Sequence, residues 1–252
     1  MTSARDITGP AHSWWWPNRP IRVPAARIAG LLACLGAVLF GACALVLAAG
    51  ANGWDQRLFR VLNEVSPAVA AVLTLLSQLF RPAGIVAVVL LATGYVVARN
   101  QSALPVAAGA LAAGLGLGLV HLGKAVANRA RPYDAMAGVV LRQQPAHGTS
   151  FPSSHTAIAL AVAIALVPFL SRAVATVGIA YAVGVGWSRV YLGVHYPLDV
   201  LGGAGIGALA GGLVLLALVL LLHRSHPAAA ALPAAGGEPG QGEPRPNDRQ
   251  KE

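Results

Sequence analysis

Three short stretches hold most of the residues able to do chemistry: GKAVANRARPYD with Lys124 and Arg131, FPSSHT with Ser153, Ser154 and His155, and SRVYLGVHYPLDV with Arg189, His195 and Asp199. Such a set can hold an anion beside a pair of proton-transfer groups. The guanidinium forks of Arg131 and Arg189 suit bidentate contact with phosphate oxygens, and the Lys124 ammonium acts as a point charge. In phosphoryl transfer, protein groups mainly position the phosphate and neutralise charge on its equatorial oxygens. Ser153, and the free amides where a helix opens near His155, add donors at an N-terminus that favours an anion. Ser154 can cap that helix, and its amide still donates. Pro197 suits the first turn of a further helix, which leaves His195 at its entrance and Asp199 inside the turn. A carboxylate there can hold one imidazole N–H and fix which nitrogen faces phosphorus.

Each residue alone has a plainer reading. Lys124 can mark the end of a membrane span, Arg131 and Arg189 can meet lipid headgroups, and Asp199 is a favourable first-turn charge. His155 can be a satisfied polar residue near a cap, and His121 a packing or interfacial histidine. Arg129, Arg142 and His147 read equally well as headgroup contacts or as parts of a solvated loop, and Tyr133 and Asp134 acquire no role.

The elements that must position these residues are set by the solvent. The chain is 56% hydrophobic and 11% charged over 252 residues, whereas a soluble domain carries about 25% charged residues. A bilayer is the expected surrounding. The net charge of +9 does not signal a nucleic-acid partner, because the basic residues stand singly at the ends of apolar runs. Cys34 and Cys43 lie too far apart along one helix to bridge, and read as small packing residues.

Six apolar runs are expected to cross the membrane: 26–50, 82–98, 102–123, 155–170, 173–187 and 198–222. The fifth is short and has room to extend past Trp187. Trp54 to Val65 has an apolar stripe with Asp55, Arg57, Arg60 and Glu64 between, and reads as an amphipathic helix on the membrane surface. Ser66-Pro67 opens a further apolar segment, 68–80, too short to span. The expected organisation is a basic juxtamembrane segment at 1–25 with a tryptophan triplet, a catalytic bundle at 26–222, and a disordered tail at 223–252. With Lys124, Arg131 and Arg189 set aside as site residues, ten Lys and Arg fall on the side of the termini and five on the other. The positive-inside rule then puts both termini in the cytoplasm and all three stretches on the outer face of the plasma membrane.

The order and spacing Lys-x6-Arg-Pro, Pro-Ser-Ser-His and Ser-Arg-x5-His-x3-Asp resemble the type 2 phosphatidic acid phosphatase family, over about 124–199. The middle motif of that family most often has glycine where Ser154 stands. The resemblance implies an all-α, integral-membrane six-helix bundle and a metal-independent lipid phosphatase, with no cofactor. It implies that His195 is the nucleophile, forming a phosphohistidine, and that His155 protonates the leaving oxygen and then activates water. Asp199 supports His195, and Lys124, Arg131, Ser153, Ser154 and Arg189 bind phosphate. The implied partners are the bilayer and a phosphorylated lipid: a polyprenyl diphosphate such as undecaprenyl diphosphate, phosphatidylglycerol phosphate or phosphatidic acid. A lipid phosphotransferase of the same fold is an alternative, as is a non-catalytic membrane transport or binding protein. The absence of charge well inside any span speaks against a permeation path.

Overall fold

A computed structural model describes residues 23–64 and 103–225, with six scattered positions between 87 and 98. The described residues are helices and connecting loops, without strands. They comprise α1 (Val23–Ala48), α2 (Gly53–Asn63), α3 (Leu104–Ala127), the one-turn α4 (Pro132–Ala135), α5 (Ser154–Leu166), α6 (Arg172–Tyr191) and α7 (Pro197–Ser225). Most of the expected crossing at 82–98, the whole segment 68–80, the tryptophan triplet and the tail beyond Ser225 lie outside the described residues, and α7 continues three residues into the expected tail.

Four segments, containing α1, α3, α6 and α7, are long and apolar enough to cross a bilayer. The apolar helix at Ser154–Phe169, α5 with a 3-10 turn, is shorter. It stays close to the expected 155–170 but falls just under the roughly 17 residues of an ordinary span. Its flanks are covered by α3, α6 and α7, so less of it has to match the lipid. As expected, α6 runs past Trp187. Large apolar side chains point outward, among them Val126 at 88% exposure, Leu45 at 72% and Leu122 at 67%. In water such a surface would be untenable; in lipid it is ordinary. The protein is a multi-pass membrane protein.

The interior is built of small residues. Ala108 and Ala112 of α3, Ala161 and Ala165 of α5, and Ala210 of α7 form one buried cluster. Without a hydrophobic drive between helices in lipid, close backbone approach supplies the packing energy. On α7 that approach depends on glycine: a Cβ at Gly207 would lie 2.7 Å from the Ala157 carbonyl oxygen of α5, and one at Gly205 2.7 Å from the Phe40 amide of α1. α5 and α1 therefore both rest directly on the α7 backbone.

Helix α2 is amphipathic as expected. The stripe residues Trp54, Leu58 and Val61 are exposed, as a helix lying against lipid requires. Of the charges between them, Arg57, Arg60 and Glu64 are exposed as well, but Asp55 is buried together with Phe59 and Asn63. Asp55 is thus turned into the protein rather than out to solvent.

Candidate active site

The C-terminal ends of α3 and α6 and the N-terminal ends of α5 and α7 meet at one end of the bundle. Lys124 occupies the last turn of α3, which runs four residues beyond the expected end at Gly123. Asn128 ends it in the left-handed conformation with φ 41°, a backbone setting that asparagine tolerates better than most residues. The turn sends the chain through Arg129 to Arg131, the N-cap residue of α4.

Arg131 is buried, and three of its nitrogens donate to carbonyl oxygens: Nε to Gly148 at 2.9 Å, Nη1 to Val194 at 2.9 Å and Nη2 to His147 at 3.1 Å. Nη1 also lies 3.4 Å from His195 Nε2. Lys124 Nζ donates to the Thr149 carbonyl. The loop that these cations clasp is held further by Tyr133, whose hydroxyl donates to the Ala146 carbonyl at 2.7 Å and accepts from the Ala146 amide. Tyr133, without a role in the sequence, thus pins the loop.

Ser153, not Ser154, is the N-cap of α5, and it makes no side-chain cap bond. Its hydroxyl accepts from Thr156 at 3.0 Å and its amide donates to the Asp199 carbonyl at 2.9 Å, tying the second stretch to the third. Ser154 is instead the first helical residue, and its φ is not positive. A glycine at that position is not required by the backbone. The amides of Ser154, His155 and Thr156 open the helix and have no acceptor within it. His155 is half-buried, and its ring interacts electrostatically with Arg189, His195, Arg131 and Lys124.

At the end of α6, Arg189 is 1% exposed, with Nε and Nη2 each 3.3 Å from Ser188 Oγ. Its carbonyl accepts from the amides of Val194 and His195, which fixes the loop carrying the histidine. Gly193 turns that loop at φ +82°, where a Cβ would meet the Val140 carbonyl at 2.7 Å. Pro197 then starts α7 as expected.

His195 is 3% exposed and Asp199 fully buried. Nδ1 stands 3.4 Å from Asp199 Oδ2, an ion-pair separation without the alignment of a hydrogen bond. The expected imidazole–carboxylate pair is present, but looser than the sequence implies, because other donors fill the carboxylate. Asp199 Oδ1 accepts from Arg129 Nη1 at 2.7 Å, and Oδ2 accepts from the Tyr196 amide at 2.8 Å and from the Ser150 hydroxyl. Burial pushes the His195 imidazole below its ordinary pKa, against the opposing pull of Asp199. The ring is therefore neutral near pH 7, with Nδ1 on the carboxylate side and Nε2 towards Arg131.

Every residue singled out for the site lies at this end of the bundle. Asp55, Arg129 and Ser150 join them without having been singled out. Arg129 is not a solvated loop residue: it is 8% exposed, its guanidinium bridges Asp199 and Asp55 (Nη2 to Asp55 Oδ2, 2.6 Å), and it stacks 3.9 Å over the Tyr196 ring. Arg142 is likewise engaged, donating to the Tyr191 carbonyl at 2.7 Å and the Asn63 carbonyl at 2.9 Å. Beside the polar site, Phe40, Leu119, Gly123, Val126, Phe151 and Leu209 line part of an apolar cavity of about 340 Å³.

The PAP2 superfamily model matches residues 102–222. The crystal structure of Aquifex aeolicus LpxE shares 30% identity, covering 63% of this chain and 93% of that one, with a TM-score of 0.53. The chain belongs to the PAP2 superfamily. A second PAP2 structure, the transmembrane PAP2-type phosphatidylglycerolphosphate phosphatase from Bacillus subtilis, is 25% identical over 76% of this chain and 96% of that one, with a TM-score of 0.55. The undecaprenyl-diphosphatase BcrC of Bacillus subtilis is 40% identical over 62 residues, 25% of this chain and 32% of that protein. The match to this curated relative thus spans about a third of its length. Both structural likenesses fit the all-helical architecture described above.

Proposed function

We propose that this protein is a lipid phosphatase that hydrolyses a phosphorylated lipid at the membrane surface, with a polyprenyl diphosphate of the undecaprenyl type as the preferred substrate. The observation that carries the reading is His195 Nε2, on a neutral ring backed by Asp199, facing the Arg131 guanidinium at 3.4 Å. In the first step Nε2 attacks phosphorus while the bond from phosphorus to the leaving oxygen breaks. Lys124, Arg131 and Arg189 neutralise the equatorial oxygens, and His155 gives its proton to the leaving group. In the second step His155 takes a proton from water, the new hydroxide attacks phosphorus, and inorganic phosphate leaves as Nε2 is released. No step draws on a metal. Ser153 and Ser154 contribute through the opening amides of α5.

The apolar cavity next to Gly123 and Phe151 supports a place for the hydrocarbon tail close to the cations. The preference for a prenyl diphosphate rests on the likeness to BcrC. The distribution of basic residues supports an extracytoplasmic site in the plasma membrane, with both termini inside.

The test is phosphate release from undecaprenyl diphosphate by detergent-solubilised protein. His195→Ala and His155→Ala should each lose activity by at least about a thousandfold while the melting temperature holds, and EDTA should change nothing. Parent-level turnover in either variant, or strict dependence on a divalent metal, contradicts the mechanism.

A further inference from the structure

We propose that Asp55 and Arg129 are positioning residues which set the charge behind the His195–Asp199 pair, so that α2 is a working part of the catalytic apparatus. The inference rests on the reading of His195 as nucleophile. Asp55 comes from a different helix, far away in sequence, yet it is fully buried. One of its oxygens accepts from Arg129, and the other from the Leu198 amide at 2.8 Å, in the first turn of α7 beside Asp199. Arg129 divides its two amino groups between Asp55 and Asp199. The other end of α2 is fastened as well. Asn63 Nδ2 donates to the Val140 and Tyr191 carbonyls at 3.0 and 3.1 Å, and its Oδ1 accepts from the Val140 amide.

A buried ion pair is weak evidence of a stabilising role, because desolvation consumes most of its attraction. Three buried charges in a row, ending on the carboxylate beside the nucleophile, point elsewhere. The row carries a net single negative charge. Were Asp55 neutral, the Arg129 charge would bear on Asp199 alone, and the carboxylate would support a proton on His195 less well. The groups facing His195 are Asp199 from α7, Arg131 and Lys124 from the α3 side and His155 from α5, while Arg189 of α6 meets it through its backbone carbonyl. Against the two cations, the carboxylate of Asp199 is the main opposing charge, so its own neutralisation matters. Burial raises the pKa of the Asp55 carboxyl, while the Arg129 contact and the Leu198 amide oppose that shift.

The experiment measures the pH profile of phosphate release for the full-length solubilised protein, with melting temperature as the control for folding. In Asp55→Asn, kcat should fall about ten- to hundredfold with KM within about threefold, the pattern of an interaction made in the transition state. The acid limb of kcat/KM should move down by about half a unit or more, because one compensating negative charge is gone. The double variant Asp55→Asn/Arg129→Gln restores the net charge of the row, and its limb should return to the parent position even though kcat stays low. Arg57→Gln, on the exposed face of α2, should behave as the parent. A parent-like kcat and limb in Asp55→Asn overturns the proposal, as do equal limbs in the single and double variants. Loss of the folded state in both variants also overturns it, since the row would then be a requirement of the fold. His195→Ala, measured alongside, separates the two ideas. Activity in that variant refutes the function of His195. An inactive His195→Ala beside a parent-like Asp55→Asn refutes only the role of Asp55.

Discussion

Gly207→Ala tests whether helix contact in the bundle interior holds the two histidines in register. The added Cβ would sit 2.7 Å from the Ala157 carbonyl oxygen and 2.9 Å from Leu160 Cβ. An ordinary carbon–oxygen contact is about 3.3 Å, so α5 must shift by about 0.6 Å away from α7. His155 sits two residues before Ala157 on the same helix and moves with it, while His195 stays with the α7 entrance. If a misplacement of about 1 Å costs on the order of a hundredfold in rate, this shift should cost about ten- to twentyfold in kcat. Stability has two opposing parts. Alanine in a helix gains about 1 kcal/mol over glycine, and overpacking costs about 1–3 kcal/mol, so the net change is a small loss. Gly203→Ala, whose Cβ would overlap the Ser153 carbonyl itself, should lose more activity than Gly207→Ala. Gly118→Ala meets nothing within 4 Å and should keep full activity with a slightly raised melting temperature. Steady-state phosphate release and thermal melts in detergent give all these quantities. Turnover within twofold of the parent in both Gly203→Ala and Gly207→Ala would refute the claim that this seam positions the chemistry.

Two other outcomes follow from the same geometry. Since burial holds His195 below the usual histidine pKa of about 6.5, the nucleophile is neutral above its lowered pKa and is lost only as pH falls through it. The acid limb of kcat/KM should therefore lie below 6.5, and a limb at or above that value would mean that another group governs the profile. For topology, single cysteines replacing Gln144 and Gly240 in a background lacking Cys34 and Cys43 should be labelled from opposite sides of the membrane. Labelling from one side would overturn the assignment of the site to the outer face.

The site was legible where its logic is local. Lys124 and Arg131 lie on either side of one short turn, and His195 and Asp199 are four residues apart, so their spacing alone brings them together. Ser153 and His155 open a helix, and a helix start is written in its first residues. Asp55 and Ser150 were not legible. Asp55 reaches Leu198 across 143 positions and Arg129 across 74, and no short-range pattern records such a partner. The charge of Asp55 also grouped it with Arg57, Arg60 and Glu64, which are exposed, whereas Asp55 is buried. Arg129 was obscured by its setting: two residues before Arg131 in a basic loop, it resembles any solvated arginine. The helix end that differed from expectation, Ala127, lies past Lys124, a charged residue that the apolar pattern treats as a stop. That charge is tolerated because it faces the protein's own polar cluster.

The alanine cluster below the histidines has a consequence for the site above it. Ala108, Ala112, Ala161, Ala165 and Ala210 are each at most 1% exposed. Among the described residues this seam offers water and ions no polar foothold beneath the cations. A seam of methyl groups thus lets a strongly charged site sit on a bundle whose interior there holds no charge of its own.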